Sequence, residues 1–424
     1  DSREENMLLA YIIFISALFV VLYTYALYPA VLFFMGLFRR SRRVVDEEYI
    51  PAVALIISVY NEEKVIKEKI ENSLQIDYPE DRLKIIVASD GSTDDTNDIV
   101  RSFDDRRIIL KAFEKREGKS ATLNKAVLGI EDDVIVFSDA NAFYEKNAIR
   151  KLVRNLADER VGCVVGRLIY LTNHSYVGKG EGLYWKYESM LNRLESKLGS
   201  VLVATGTIFA VRRTLLGPIL KDVANDFQLP AIVASRGYEI VFEPDAVAYE
   251  KPTYFFKEEF NRKRRIIVRG LTGFYHLRSN FGGRFRVFQF VSRKLIRWWI
   301  GPILPLLYVS NIFLLKNPFF LAIFVLQNVF YLLALIGAVL RRGEVQSRLL
   351  FIPFYFVMVN TASFAAIFTY LAGSRLTSWE KAETTRVMTS EDRLKPEFKV
   401  IEGKKKFPDS SSQAKKVKNL ERIT

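Results

Sequence analysis

Two short carboxylate-bearing segments carry the chemistry of this chain: ASDGSTDDT, around Asp90 and Asp94, and VFSDAN, around Asp139 and Asn141. Asp139 and Asn141 are two apart in a tight loop, so both can aim oxygens at one divalent cation bridging a diphosphate. Asp90 is followed by Gly91, which lets a ligand approach the backbone, and its carboxylate is a good acceptor for a base imide or a ribose hydroxyl. Lys119, at the start of a predicted helix in EGKSATLNKA, can pair with a phosphate. Each motif also has a bland reading. SDGS is an ordinary turn and N-cap, Asp139 and Asn141 could cap a helix over Glu145 to Ala157, and Asp226 could cap one over Phe227 to Ser235.

Composition narrows the chemistry. Only two histidines and one cysteine, Cys163, occur in 424 residues, which argues against disulfides, zinc sites and a Cys-His dyad. A metal must therefore sit on oxygen ligands, which suit Mg²⁺ or Mn²⁺. A single cysteine also fits a reducing, cytosolic location for the soluble part.

The elements that must position these residues follow from patterning. From Ala52 to Glu250, short β-branched runs alternate with helical stretches, as in a doubly wound α/β domain. Strands are predicted at Val53 to Val59, Leu83 to Ala88, Arg107 to Ala112, Val134 to Ser138 and Val161 to Leu171, with helices at Glu62 to Gln75 and Lys119 to Gly129. Ligands of open α/β sheets bind beyond the carboxyl ends of the strands. Tyr60-Asn61-Glu62, Asp90-Gly91-Ser92 and Asp139-Ala140-Asn141 all fall there, so three loops converge on one crevice.

Hydropathy adds a membrane. Met7 to Phe38 runs without a charge and then meets Arg39, Arg40, Arg42 and Arg43, enough for one crossing with its basic end in the cytosol. Residues 254–300 hold 12 Lys and Arg against 2 Glu. Nucleic acid is the first suspect for such a patch. However, Phe256, Phe260, Ile267, Leu271 and Phe274 share one helical face and Arg262, Arg265 and Arg269 lie opposite, so a membrane surface is the expected partner and nucleic acid is not. A second interfacial helix is expected from Phe285 to Trp299. Apolar segments follow at Trp298 to Leu315, Pro318 to Leu340 and Leu349 to Ala372, with Lys316-Asn317 as a turn and Arg341-Arg342 as a cytosolic loop. The last segment carries Pro353, Asn360, Thr361 and Ser363, and is expected to be broken, re-entrant or packed against protein. Three or four crossings result. Residues 402–424, rich in Lys and Ser, read as disordered. The expected division is thus an N-terminal membrane helix with its basic flank (1–43), a catalytic domain (50–250), interfacial helices (254–300), a C-terminal membrane region (301–375) and a basic cytosolic tail (376–424).

Between Ala54 and Arg386 the chain resembles membrane-bound inverting glycosyltransferases of family 2, the group of hyaluronan, cellulose and poly-N-acetylglucosamine synthases. VYNEE, ASDGSTDDT, GKSATLNKA, FSDAN, YWKYE, ATGTIFAVRR, NDFQLP, EPDAVAYE and WEKAETTR stand in that family's order. The resemblance implies a GT-A (Rossmann-like) catalytic domain facing the cytosol at the plasma (cell inner) membrane, a nucleotide-sugar donor, most simply a UDP-sugar, a divalent metal, and a lipid-linked or polysaccharide acceptor. Residue by residue it implies that Tyr60, Asn61, Glu62, Asp90, Lys119 and Asp139 hold the donor, with Arg262 and Arg265 beside it. Asp139 and Asn141 would hold the metal and Asp226 would be the base. Thr205, Gly206 and Trp185 would face the acceptor. Ile266 stands where processive members carry Trp, which favours single transfer over polymerisation. Asn141 and Asn225 each replace an acidic residue, which implies weaker metal binding. A catalytically silent nucleotide-sugar-binding partner of a synthase is the alternative of another class.

Overall fold

The computed structural model describes residues 2–39, 43–171, 176–253, 255–278, 281–340, 347–374 and 383–386. One eight-stranded sheet organises the domain between the membrane segments, in the order β3-β2-β1-β4-β7-β6-β8-β5. Its strands are β1 Val53–Val59, β2 Leu83–Asp90, β3 Ile108–Phe113, β4 Val134–Asp139, β5 Phe143–Tyr144, β6 Val161–Tyr170, β7 Phe209–Arg212 and β8 Glu239–Glu250. β1 is buried along its whole length and pairs in parallel with both β2 and β4. An uninterrupted Val/Ile/Leu run is what a strand covered on both faces requires.

The parallel sheet expected from sequence is thus the first half of a mixed sheet. β7 runs antiparallel between β4 and β6, and β5 runs antiparallel to β8. None of β5, β7 and β8 is legible in the sequence. β5 and β7 are two and four residues long, and β8 carries Pro244 and Asp245 in mid-strand, a composition that argues against a strand.

Helices α1 Ser2–Leu22 and α2 Tyr28–Phe38 form one rod joined by a π-turn at Tyr23–Leu27. Around the sheet lie α3 Ile66–Leu74, α4 Thr96–Arg101, α5 Lys119–Ala126, α6 Ala148–Val153, α7 Tyr176–Lys197 and α8 Asn225–Ser235; then come α9 Phe256–Leu277, α10 Arg284–Phe290, α11 Ile296–Ile312, α12 Pro318–Leu340 and α13 Arg348–Leu371. Among the described residues four helical units, at 4–38, 284–312, 318–340 and 348–371, are long and apolar enough to cross a membrane.

Two membrane-side expectations change, and for the last apolar segment one of the expected alternatives, packing against protein, holds. The second interfacial helix is absent as a separate element, because α10 and α11 join through a π-turn at Val291–Leu295 into one 29-residue unit. The apolar face of α9 is spent on protein: Phe256 packs on Phe354, Ile267 and Leu271 on Ala366 and Trp298, and Phe274 stacks on Phe290 at 4.2 Å. Finally, α13 is unbroken and packs against α9, α11 and α12. Its polar residues serve that packing, since Asn360 and Ser363 are buried and Ser363 Oγ donates to the carbonyl of Trp298. Gly301 allows the approach, because a Cβ there would stand 2.4 Å from the Asn360 carbonyl oxygen.

The domain is locked to the long apolar helices by charge. Arg293 of the π-turn is fully enclosed and donates to Glu195, to Glu188 at 2.7 Å and to Asn192 at 2.8 Å, all on α7. Removing one partner would leave an uncompensated buried charge. Arg43, from the expected basic flank, binds Glu239 at 2.9 Å; Arg40, Arg42, the Arg341-Arg342 loop and the 402–424 tail lie outside the described residues.

Candidate active site

β2 and β4 each end on a carboxylate, Asp90 and Asp139, and β1 ends just before Tyr60-Asn61-Glu62. Three parallel strands of matched register therefore deliver the three loops to one edge of the sheet. Asn61 holds a left-handed backbone, φ 52°, fastened by its own N–H to Ser92 Oγ and by the Thr93 N–H to its side-chain oxygen at 2.8 Å. Asparagine is among the few residues that adopt this conformation readily. Tyr60 lies under the Arg116 guanidinium, 3.9 Å from the ring centre.

Asp90 is buried and its carboxylate accepts the N–H groups of Glu117, at 2.8 Å, and Gly118, at 2.9 Å. It anchors the loop that leads into α5 and so sets where Lys119 stands. The N-cap part of the bland reading of SDGS does not hold, because the N-cap of the following helix is Asp95. Gly91 has φ +67° and a Cβ there would meet the Arg116 nitrogen at 2.7 Å. Gly91→Ala is expected to cost about 1–3 kcal/mol through strain and displaced backbone, and to raise the donor KM at least about tenfold. Thermal unfolding and initial rates check it; an unchanged KM would remove this loop from the donor pocket.

Lys119 Nζ contacts Asp139 Oδ1 at 2.5 Å. Asn141 is buried and its amide donates to Glu250 at 2.7 Å and to Thr385 at 3.4 Å, which leaves the amide oxygen for a cation. Neither residue caps α6, whose N-cap is Asn147. The Asn141–Glu250 bond also explains the amide at this position, because an Asp here would face a second carboxylate. Burial and the neighbouring charge of Asp139 push Glu250 up to about 7, against Arg386 and the Asn141 hydrogen bond.

Asp226 lies inside the first turn of α8, whose N-cap is Ala224, so the capping reading is overturned. It is raised above the ordinary aspartate value by burial and by Asp139, while Lys119 and Arg269 oppose the shift. The Thr205-Gly206-Thr207 loop passes between Asp226 and Asp139. A Cβ on Gly206 would stand 3.2 Å from Asp226 Oδ2 and 3.8 Å from Asp139 Oδ2. Glycine therefore keeps open a cradle between the two carboxylates. Such an oxygen-lined space fits a hard divalent cation held by Asp139 and Asn141. Among the described residues no three His, Cys, Asp or Glu side chains converge into a metal site, so a cation held here would need ligands from a diphosphate and water to complete its coordination.

Three further predicted positions lie on α7 and α9. Arg262 is tied to Glu259 at 2.8 Å and to the Tyr170 hydroxyl at 3.1 Å; Arg265 follows on the same helix, half-buried. Trp185, on α7, packs beside Tyr170 and Tyr184, with its indole N–H buried and unpartnered among the described residues. The structure thus groups Arg262 and Trp185 around Tyr170, which pairs in register with Glu250, the acceptor of the Asn141 amide.

Sequence reasoning missed Glu250 and Arg386. Arg386 reaches back across 324 positions to bind the buried Glu62 at 3.0 Å, and Thr384 beside it donates to Glu258. WEKAETTR was the only signal for Arg386, and nothing in it names a partner.

Known proteins resemble this chain in sequence and in fold. Residues 54–220 match the family model described as glycosyl transferase family 2. The chain is 30% identical over 259 residues to "Probable glycosyltransferase YdaM" of Bacillus subtilis, covering 54% of this chain and 59% of that protein. It is 24% identical over 258 residues to poly-beta-1,6-N-acetyl-D-glucosamine synthase of Staphylococcus epidermidis, covering 58% and 60%. The chain thus spans about three fifths of the length of these relatives. In fold it resembles the mannosyltransferase PcManGT of Pyrobaculum calidifontis, solved with GDP-Man and Mn²⁺, with a TM-score of 0.66, 22% identity and coverage of 85% of this chain and 99% of that one. The sheet is that of a GT-A domain.

Proposed function

We propose, for a chain whose residues 54–220 form a family 2 glycosyltransferase domain, inverting transfer of a hexose or N-acetylhexosamine from a nucleoside diphosphate sugar, UDP being the favoured nucleotide, to a hydroxyl of a lipid-linked acceptor at the cytosolic face of the cell's inner membrane. The cradle over Gly206 carries this reading, because Asp226, a raised carboxylate, and Asp139 both come close to the one position where a Cβ is missing.

Asp226 takes the proton of the acceptor hydroxyl as that oxygen attacks the anomeric carbon. Lys119 leaves Asp139 for the diphosphate and holds it in line. A divalent cation on Asp139 and Asn141 would stabilise charge developing on the departing diphosphate. Asp90 fixes the 117–118 backbone, Asn61 and Glu62 form the nucleoside wall, and Thr205 and Thr207 edge the acceptor side. Ile266 in place of the family's Trp supports one sugar per event.

The test is donor turnover: protein in native-like lipid, a panel of radiolabelled nucleotide-sugars, Mn²⁺ or EDTA, and products separated by size and lipid solubility. A metal-dependent, lipid-soluble product bearing one added sugar is expected. A long water-soluble polymer would overturn single transfer. Tight nucleotide binding with no turnover would leave a silent binding partner.

A further inference from the structure

One buried cation takes no part in this reaction scheme. Lys69 of α3 is fully enclosed, and among the described residues its ammonium has one hydrogen-bond acceptor, the Ala142 carbonyl at 2.5 Å. It otherwise rests on the Tyr144 ring, 4.1 Å from the centre. Both partners belong to the turn that carries Asp139 and Asn141. Asn72, on the next turn of α3, clasps that turn further: its amide donates to the Tyr144 carbonyl at 2.9 Å and its oxygen accepts the Tyr144 N–H at 2.7 Å. The Tyr144 hydroxyl reaches the carbonyls of Phe137, at 3.2 Å, and Thr207, at 2.9 Å. A continuous pillar thus runs from α3 through Tyr144 to the loop that holds Gly206.

Burying an ammonium with so few partners is costly, and the negative charge that acts on it is Asp139. We infer that Lys69 is a positioning residue that braces the 139–144 turn from beneath and biases the crevice toward a metal-bound nucleoside diphosphate over a bare divalent cation. Within the Asp139–Asn141 pair only Asp139 is charged, and Lys119 already offsets it. A further positive charge under the turn repels a naked cation and attracts a diphosphate, and in a poorly hydrated interior that field is weakly screened. The two protein oxygens available to a cation are also too few without phosphate oxygens.

This inference rests on the transferase reading, and calorimetry at pH 6 separates the two. That pH lies below the value of about 7 to which burial pushes the Lys69 amine, so the group is charged. The probes are Mn²⁺ alone, UDP and GDP in EDTA, and each nucleotide with Mn²⁺. The native protein should bind Mn²⁺ with nucleotide much more tightly than Mn²⁺ alone. Lys69→Met keeps the stem and removes the charge. It should tighten bare Mn²⁺ about tenfold and weaken metal-free nucleotide about tenfold. If both affinities fall together, or neither changes, Lys69 only packs and the inference fails. Should Lys69→Met lose its unfolding transition, the native protein still decides: bare Mn²⁺ binding as tight as binding with nucleotide overturns the inference. A native protein that binds neither nucleotide overturns the transferase reading along with it.

Discussion

Asp226→Asn is expected to lower sugar transfer about 10³-fold while leaving donor affinity within a few-fold of the native protein. The substitution keeps shape and removes only the capacity to accept a proton, and a positioned general base contributes about 10²–10⁴ in rate. Because Asp226 shapes the cradle without belonging to the nucleoside wall, the loss should appear in kcat. The pH profile adds a second readout. Burial and Asp139 raise Asp226 above the ordinary aspartate value, and the base works only when ionised. The native enzyme should therefore be active above that raised value and lose activity as pH falls through it, with an acid limb above the range of a free aspartate. That limb should be absent from the residual activity of Asp226→Asn. Undiminished turnover in the variant would sink the assignment of the base.

Asp139→Asn should produce the second largest loss, about 10²-fold or more in kcat/KM, together with a 10–100-fold weaker apparent affinity for Mn²⁺. Asp139 is the charged member of the proposed metal pair, and Lys119 leans on it at 2.5 Å. The same charge also raises Glu250 and Asp226. Removing it should therefore move the acid limb of the residual activity to lower pH, opposite in direction to what simple loss of metal predicts. Metal titration at fixed donor, followed by a pH series at saturating Mn²⁺, measures both effects. Full activity with unchanged Mn²⁺ dependence would mean that the cation sits elsewhere.

Much of this was legible in the chain before any fold was known, and the reason is local. β1, β2 and β4 are fully or almost fully buried strands, and such strands must be continuous apolar runs whose ends are marked by polar residues. The structure moves their boundaries by at most two residues, and the residues gained are Ser89, Asp90 and Asp139. Apolar segments long enough to cross a membrane, about 20 residues, are equally plain in the sequence, and the structure makes each of them a long helix. The sequence misled where one pattern serves two environments. The amphipathic stripe of α9 looks the same whether it faces lipid or protein, and here Phe256, Ile267 and Phe274 meet α10, α11 and α13.

The sequence by itself determined a β-α domain with carboxylates at its strand ends and flanking helices long and apolar enough to cross a membrane, because each is written in residue types a few positions apart. Only the tertiary structure decided what those groups touch. Asn141 finds Glu250 across 109 positions and Glu62 finds Arg386 across 324, while Lys69 braces a turn 73 residues away. Such pairings are chosen by packing and by the need of each buried charge for a partner. That need is met by distance in space, which no spacing along the chain records.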